Sequence, residues 1–198
     1  MTVDGSAVSA IERIGAAVRA RVPAYAERDE PYWEAAVSII LRDGAAGPSV
    51  LFVQRAVHEG DPWSGQIGLP GGRRDPGEGD LVETAVRETR EETGIDLRTQ
   101  GRLFGPLDEL RPRNPMLPPF IVRPYVARVF TDPVITISDE LAGYFWAPVA
   151  AIFDPANTRP SRVSGRGVTM WREAIHYDGH VIWGLTERIL RAFGEVAR

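Results

Sequence analysis

The chain has 198 residues, 23 basic and 27 acidic side chains and a net charge of −4; it contains neither cysteine nor lysine, so every basic residue is arginine. These absences exclude disulfide frameworks, thiol nucleophiles, zinc fingers, Schiff-base chemistry and Walker-type phosphate loops. Carboxylates, arginine and a hard metal ion remain as catalytic means, and the acidic balance argues against nucleic acid as the partner.

Val8, Ile11, Ile14, Ala17 and Val18 recur at helical spacing over residues 6–21, with Asp4 or Ser6 as cap. This helix and the link to residue 30 read as an N-terminal addition, with residues 31–198 as the main domain. Charged residues interrupt 1–22, so no signal peptide is expected there. Ala35–Arg42 and Ser49–Arg55 read as strands joined by a turn from Asp43-Gly44 to Pro48. A loop rich in glycine and proline runs from Gly60 to Gly79 and contains a short apolar strand, 66–70. Leu81–Thr93 is the best helix of the middle of the chain, with Asp80 at its N-cap and Gly94 at its stop.

Further strands are expected at 101–107, 120–130 and 143–147, then a hairpin over 162–177 and a last amphipathic helix from Trp183 to Phe193. Residues 106–119 hold five prolines and read as a stiff loop beside a site. The nearly apolar run Tyr144–Phe153 is broken by Pro148 and is far shorter than the ~20 residues that cross a bilayer. No membrane partner and a cytoplasmic location are the expectation. Strands on both sides of one central helix, with helices at both ends, indicate α/β or α+β layers. Trp146 and Trp183 are expected in the core. His176 and His180 have i,i+4 spacing, yet Asp178-Gly179 between them reads as a hairpin turn, which argues against a metal pair.

Charge concentrates in residues 73–98, which hold eight acids and five arginines. Glu88, Glu91 and Glu92 stand at i, i+3 and i+4, so they emerge on one helical face. Like charges repel at that spacing. Arg87 and Arg90 beside them make a solvated ion-pair face the plain alternative. Gly71-Gly72 lets the backbone turn sharply beside the helix and offers bare carbonyls. Oxygen ligands from glutamates and a carbonyl suit Mg²⁺ or Mn²⁺, and such a site suits phosphoryl chemistry.

The run Arg87-Glu88-Thr89-Arg90-Glu91-Glu92-Thr93-Gly94-Ile95 resembles the second half of the Nudix hydrolase signature, with a threonine where an aliphatic residue is usual. Five fixed residues match by chance in a chain of this length with a probability of order 10⁻⁴. The first half departs from it: Gly72 to Glu78 keeps the usual gap, but one residue is inserted between Glu78 and Arg87, so Glu78 or Asp75 takes the loop glutamate's role. That insertion also occurs in the branch that cleaves coenzyme A. Residues 51–55 and 65–72 are similar to that branch's upstream signature, as are 107–110, 139–149 and 182–186 to other segments. The arginine usual a few residues before Gly65 is absent, and residues 111–119 replace a shorter segment.

The resemblance covers about residues 35–193 and implies a Nudix-like α/β/α sandwich with a mixed sheet plus N- and C-terminal helices. It implies Glu88, Glu91, Glu92 and the Gly72 carbonyl as metal ligands, Arg87, Glu88 and Glu91 as the catalytic set, and Mg²⁺ or Mn²⁺ as cofactor. Arg55, Arg111 and Arg113 are candidates for substrate phosphates or for ordinary surface positions. Glu140 is a base, a distant ligand or a helix-start carboxylate, and Trp63 a stacking or buried ring. The expected activity is hydrolysis of a diphosphate bond in a nucleoside diphosphate derivative, coenzyme A first, giving 3′,5′-ADP and 4′-phosphopantetheine. ADP-ribose, nucleotide sugars or oxidised nucleotides are the alternative, and a non-catalytic nucleotide-binding module is the reading from another class. A homodimer is compatible with all three.

Overall fold

Apolar residues dominate two long runs, and both become strands: β1 (Trp33–Gly44) and β2 (Gly47–Arg55), joined within the expected turn region at Ala45-Ala46, with Asp43 and Gly44 still in β1. The computed structural model describes residues 9–58, 63–113, 118–165 and 168–197. Asp4, Ser6 and Val8, named above for the first helix, lie outside these, as do Gly60 and residues 114–117 of the proline-rich loop. Helix α1 (Ala10–Ala20) is capped by Ser9, whose side chain accepts from the Glu12 N–H. Two short strands, β3 (Ile67–Gly68) and β4 (Gly71–Arg73), replace the single strand expected over 66–70. Helix α2 (Leu81–Thr93) follows with the expected limits: Asp80 accepts from the Val82 N–H, and Gly94 closes the helix at φ +75°.

β5 (Gly101–Pro106), β6 (Phe120–Val129) and β7 (Leu141–Pro148) complete a seven-stranded mixed sheet among the described residues. β1 pairs with β6 in parallel and with β2 antiparallel, and β7 lies on the other edge of β2. The short helix α3 (Val149–Ile152) leads to a second, three-stranded sheet of β8 (Thr158–Gly165), β9 (Val168–Tyr177) and β10 (His180–Ile182). Asp178 and Gly179 turn at φ 45° and 80°, which makes the expected hairpin. Helix α4 (Gly184–Ala197) ends the description.

Alternation along the strands divides the core into layers. Ile39, Val50, Phe52 and Val126 face α1 and α4, whereas Ile40, Leu51 and Ala127 face the side of α2. This is an α+β architecture with helices on both faces of a mixed sheet. Helix α1 contributes Ile11, Ile14 and Val18 to the same buried cluster as Leu190 and Phe193 of α4. Its Gly15 lies so close to the Phe104 ring that a Cβ would approach to 2.5 Å.

Both tryptophans expected in the core are only partly buried. Trp146 packs one face near Ile40 and Leu51 and takes the Arg42 guanidinium 4.3 Å from its ring centroid. Trp183 lines a groove between the two sheets. No helix among the described residues is long and apolar enough to cross a membrane.

Candidate active site

Helix α2 is held in place at three levels. At its start, Asp80 receives a hydrogen bond of 3.2 Å from the Tyr125 hydroxyl of β6. At its middle, the buried Thr89 hydroxyl donates to Ser38 Oγ of β1 at 2.9 Å, and Ser38 in turn reaches the Ala85 carbonyl. At its end, the Thr136 and Ser138 N–H groups donate to the Thr93 and Glu92 carbonyls. The threonine at the usual aliphatic position is thus satisfied by a serine set inside an apolar strand, as a buried hydroxyl requires.

The glycine turn fits against this helix by close backbone approach. Gly71 has φ +152°, and a Cβ there would meet the Ala36 carbonyl at 2.3 Å. A Cβ on Gly72, which pairs with Ala36 in β4, would lie 2.5 Å from the Glu88 carboxylate. The Gly71 N–H donates to Glu92 Oε2 at 2.9 Å. The turn therefore fixes one carboxylate by a hydrogen bond and makes room for another.

Arg87 organises the charges. Its Nε donates to Glu78 at 2.8 Å, its Nη1 to Glu88 at 2.8 Å and Glu91 at 2.9 Å, and its Nη2 to the Arg73 carbonyl at 3.0 Å. Glu78 also accepts from the Thr84 hydroxyl and the Asp75 N–H. Asp75 stands farther away, 3.6 Å from Arg87. Glu78, not Asp75, is therefore the loop carboxylate that meets Arg87. Gly77 turns the chain at φ +99° just before Glu78. The Arg87 hydrogen bond holds the Glu78 carboxyl down at about 2, against the opposing effect of burial.

Glu92 and Glu88 behave in the opposite way. Burial pushes Glu92 up to about 7; the Gly71 N–H opposes this, while the charges of Glu88 and Glu140 add to it. Glu92 is 4% exposed. Burial also raises Glu88, and Arg87 only partly offsets the effect. Glu140 acts on both carboxylates. It lies in the turn before β7, not at the helix start expected, because its carbonyl is held by the Ala56 N–H at the end of β2. Arg55 Nη1 is 4.0 Å from Glu92 Oε1.

Among the described residues no three acidic or histidine side chains already stand at metal-ligand spacing. Glu91 and Glu88 are drawn to Arg87, and Glu92 to Gly71. The donors nevertheless suit a hard divalent cation: all are oxygens, and the buried Glu92 and partly buried Glu88 are carboxylates whose charge lacks full compensation.

The remaining candidates are placed elsewhere. Arg111 pairs with Asp29 and Glu30 and donates to the Glu27 carbonyl, while Arg113 meets Glu27 at 3.2 Å. Both guanidiniums thus bind acids of the N-terminal link, which local sequence could not reveal. Trp63 is partly buried in the turn before β3. His176 Nε2 lies 2.6 Å from Ser161 Oγ, and His180 stacks on Phe145 at 4.0 Å.

The NUDIX domain model matches residues 33–165. An uncharacterized Nudix hydrolase of Yersinia pestis, NudL, is 30% identical over 145 residues, which are 73% of this chain and 70% of that protein. An uncharacterized protein of Schizosaccharomyces pombe is 49% identical over 63 residues, 31% of this chain, and the match spans only 19% of that protein's length. Among solved structures, a MutT/nudix family protein of Enterococcus faecalis superposes at TM-score 0.56 with 20% identity, covering 96% of this chain and 70% of its own. A binary complex of a C. elegans Ap4A hydrolase gives 0.50 and 25%, covering 59% and 80%.

Proposed function

Because the chain belongs to the NUDIX domain family and is a Nudix-type pyrophosphohydrolase, we propose that it hydrolyses the diphosphate of coenzyme A or a coenzyme A derivative, using the carboxylates of α2. The observation that carries the site assignment is the burial of Glu92 beside Glu88, with Arg87 joining Glu88, Glu91 and Glu78. Coenzyme A is supported by the likeness of residues 51–55 and 65–72 to the upstream signature of that branch, and by the one-residue insertion before Arg87.

Glu88, Glu91, Glu92 and the Gly72 carbonyl would hold Mg²⁺ or Mn²⁺, which supplies charge neutralisation at phosphate and acidifies a bound water. Arg87 orients Glu88 and Glu91, and Glu78 orients Arg87. Arg55, at the end of β2, supplies a guanidinium near the substrate's phosphates. Glu140 lies near enough to influence Glu88 and Glu92 electrostatically and is a candidate to accept the proton of the attacking water.

The test is a panel of coenzyme A, dephospho-coenzyme A, ADP-ribose and Ap4A, with Mg²⁺ and with Mn²⁺, products resolved by chromatography. Release of 3′,5′-ADP and 4′-phosphopantetheine is expected. Rapid turnover of ADP-ribose or Ap4A with coenzyme A inert would reassign the substrate. E92Q should reduce kcat at least about a hundredfold while its circular dichroism and melting stay close to wild type; full activity would overturn the site.

A further inference from the structure

A groove of about 280 Å³ opens between the β2–β3 edge of the large sheet and the three-stranded sheet β8–β10. Gln54, Gln66, Arg162, Ser164, His180 and Trp183 supply its polar and aromatic lining, and among the described residues no carboxylate lines it. Arg162 forms no ion pair among the described residues. Neither the Gln54 amide nor the Trp183 indole N–H has a hydrogen-bond partner there.

An exposed arginine alone means little. The Gln54 amide opens on the groove without an internal partner, so its donor and its acceptor are both available to a ligand. Gly165, at the end of β8, keeps the groove open: a Cβ there would come within 3.0 Å of the Trp183 ring and 3.4 Å of the Gln66 amide. The groove thus combines an aromatic surface, an amide with both a donor and an acceptor, and an arginine without an ion pair among the described residues. A planar base with hydrogen-bonding edges suits the first two, and a phosphate suits the third. Gln54 is also the immediate neighbour of Arg55, which approaches Glu92. The groove therefore adjoins, along β2, the strand end that carries Arg55.

We propose that this groove holds the nucleoside end of the substrate, with the base against Trp183, its edge read by Gln54, and a phosphate carried on the ribose paired with Arg162. The inference rests on the diphosphatase reading and deepens it: the second sheet is the specificity element for a ribose-phosphorylated nucleotide. The test is calorimetric titration of wild type, R162A and Q54L with 3′,5′-ADP and with 5′-AMP, without added metal. Wild type should bind 3′,5′-ADP about tenfold more tightly than 5′-AMP. R162A should bring the two ligands to equal affinity, and Q54L should weaken both by a similar factor. Equal binding of the two nucleotides by wild type, or an undiminished preference in R162A, overturns the phosphate assignment; unchanged affinities in Q54L overturn the base assignment. The two readings fail separately. Hydrolysis that depends on Glu92 without any ribose-phosphate preference removes this inference alone, whereas the preference without any diphosphate hydrolysis removes the catalytic reading alone.

Discussion

Arg87 makes hydrogen bonds to three carboxylates and one carbonyl, so its geometry matters as much as its charge. A lysine would keep the charge but not the planar fork, and could not satisfy Glu78, Glu88, Glu91 and the Arg73 carbonyl together. R87K is expected to lower kcat about 10- to 100-fold, the usual cost of removing a group that orients metal ligands. Its apparent affinity for Mg²⁺, read from activity against metal concentration, should weaken in parallel. Unchanged metal dependence would mean that Arg87 is only a surface ion-pair partner. The three helix glutamates and Arg87 were legible from spacing alone, since i, i+3 and i+4 must share a face. The choice between Glu78 and Asp75 was not, because it depends on how the turn at Gly77 presents the two carboxylates to Arg87. Arg111 and Arg113 show the same limit: their partners lie more than 80 residues away in the chain.

At the scale of elements, helix α2 was readable because its signals are local: a capping aspartate, an apolar stripe and a terminating glycine. The break between β3 and β4 was not, since it arises where the chain leaves β2 and joins β1. Nor did local sequence reveal what supports the helix's middle. Ser38 looks like an interruption of an apolar strand, yet its hydroxyl accepts from Thr89 and contacts the Ala85 carbonyl at 3.4 Å. T89V should therefore remove a buried donor without changing volume, at a cost of about 1 kcal/mol. S38A alone should leave the Thr89 hydroxyl unsatisfied, at a similar or larger cost. The double variant should be less destabilised than the sum of the two, because neither partner is then left behind. Urea denaturation of the three variants measures this coupling. Strict additivity would show that the hydroxyl pair contributes nothing to the docking of the helix.

Across the whole molecule, the N-terminal link is fastened to the sheet by a carboxylate far from the catalytic helix's own cluster. The Glu109 side chain is 1% exposed, and it accepts from Arg28, from Arg123 and from the Ala26 N–H. Burial alone would raise its pKa, but these three donors outweigh burial and leave it below the ordinary value. The sign follows from that depression. The folded chain binds this proton less readily than the unfolded one, so the contribution to stability is complete above the unfolded value of about 4.3 and declines as pH falls through the folded value. E109Q should lose about 3 kcal/mol at pH 7, because two guanidiniums then keep their partial burial without their anion. As pH drops below about 4, wild type should lose stability more steeply than E109Q, and the gap between them should narrow. Urea denaturation at neutral pH and at a series of acid pH values tests both statements. A gap of constant size would show that the network holds the link by packing rather than by charge.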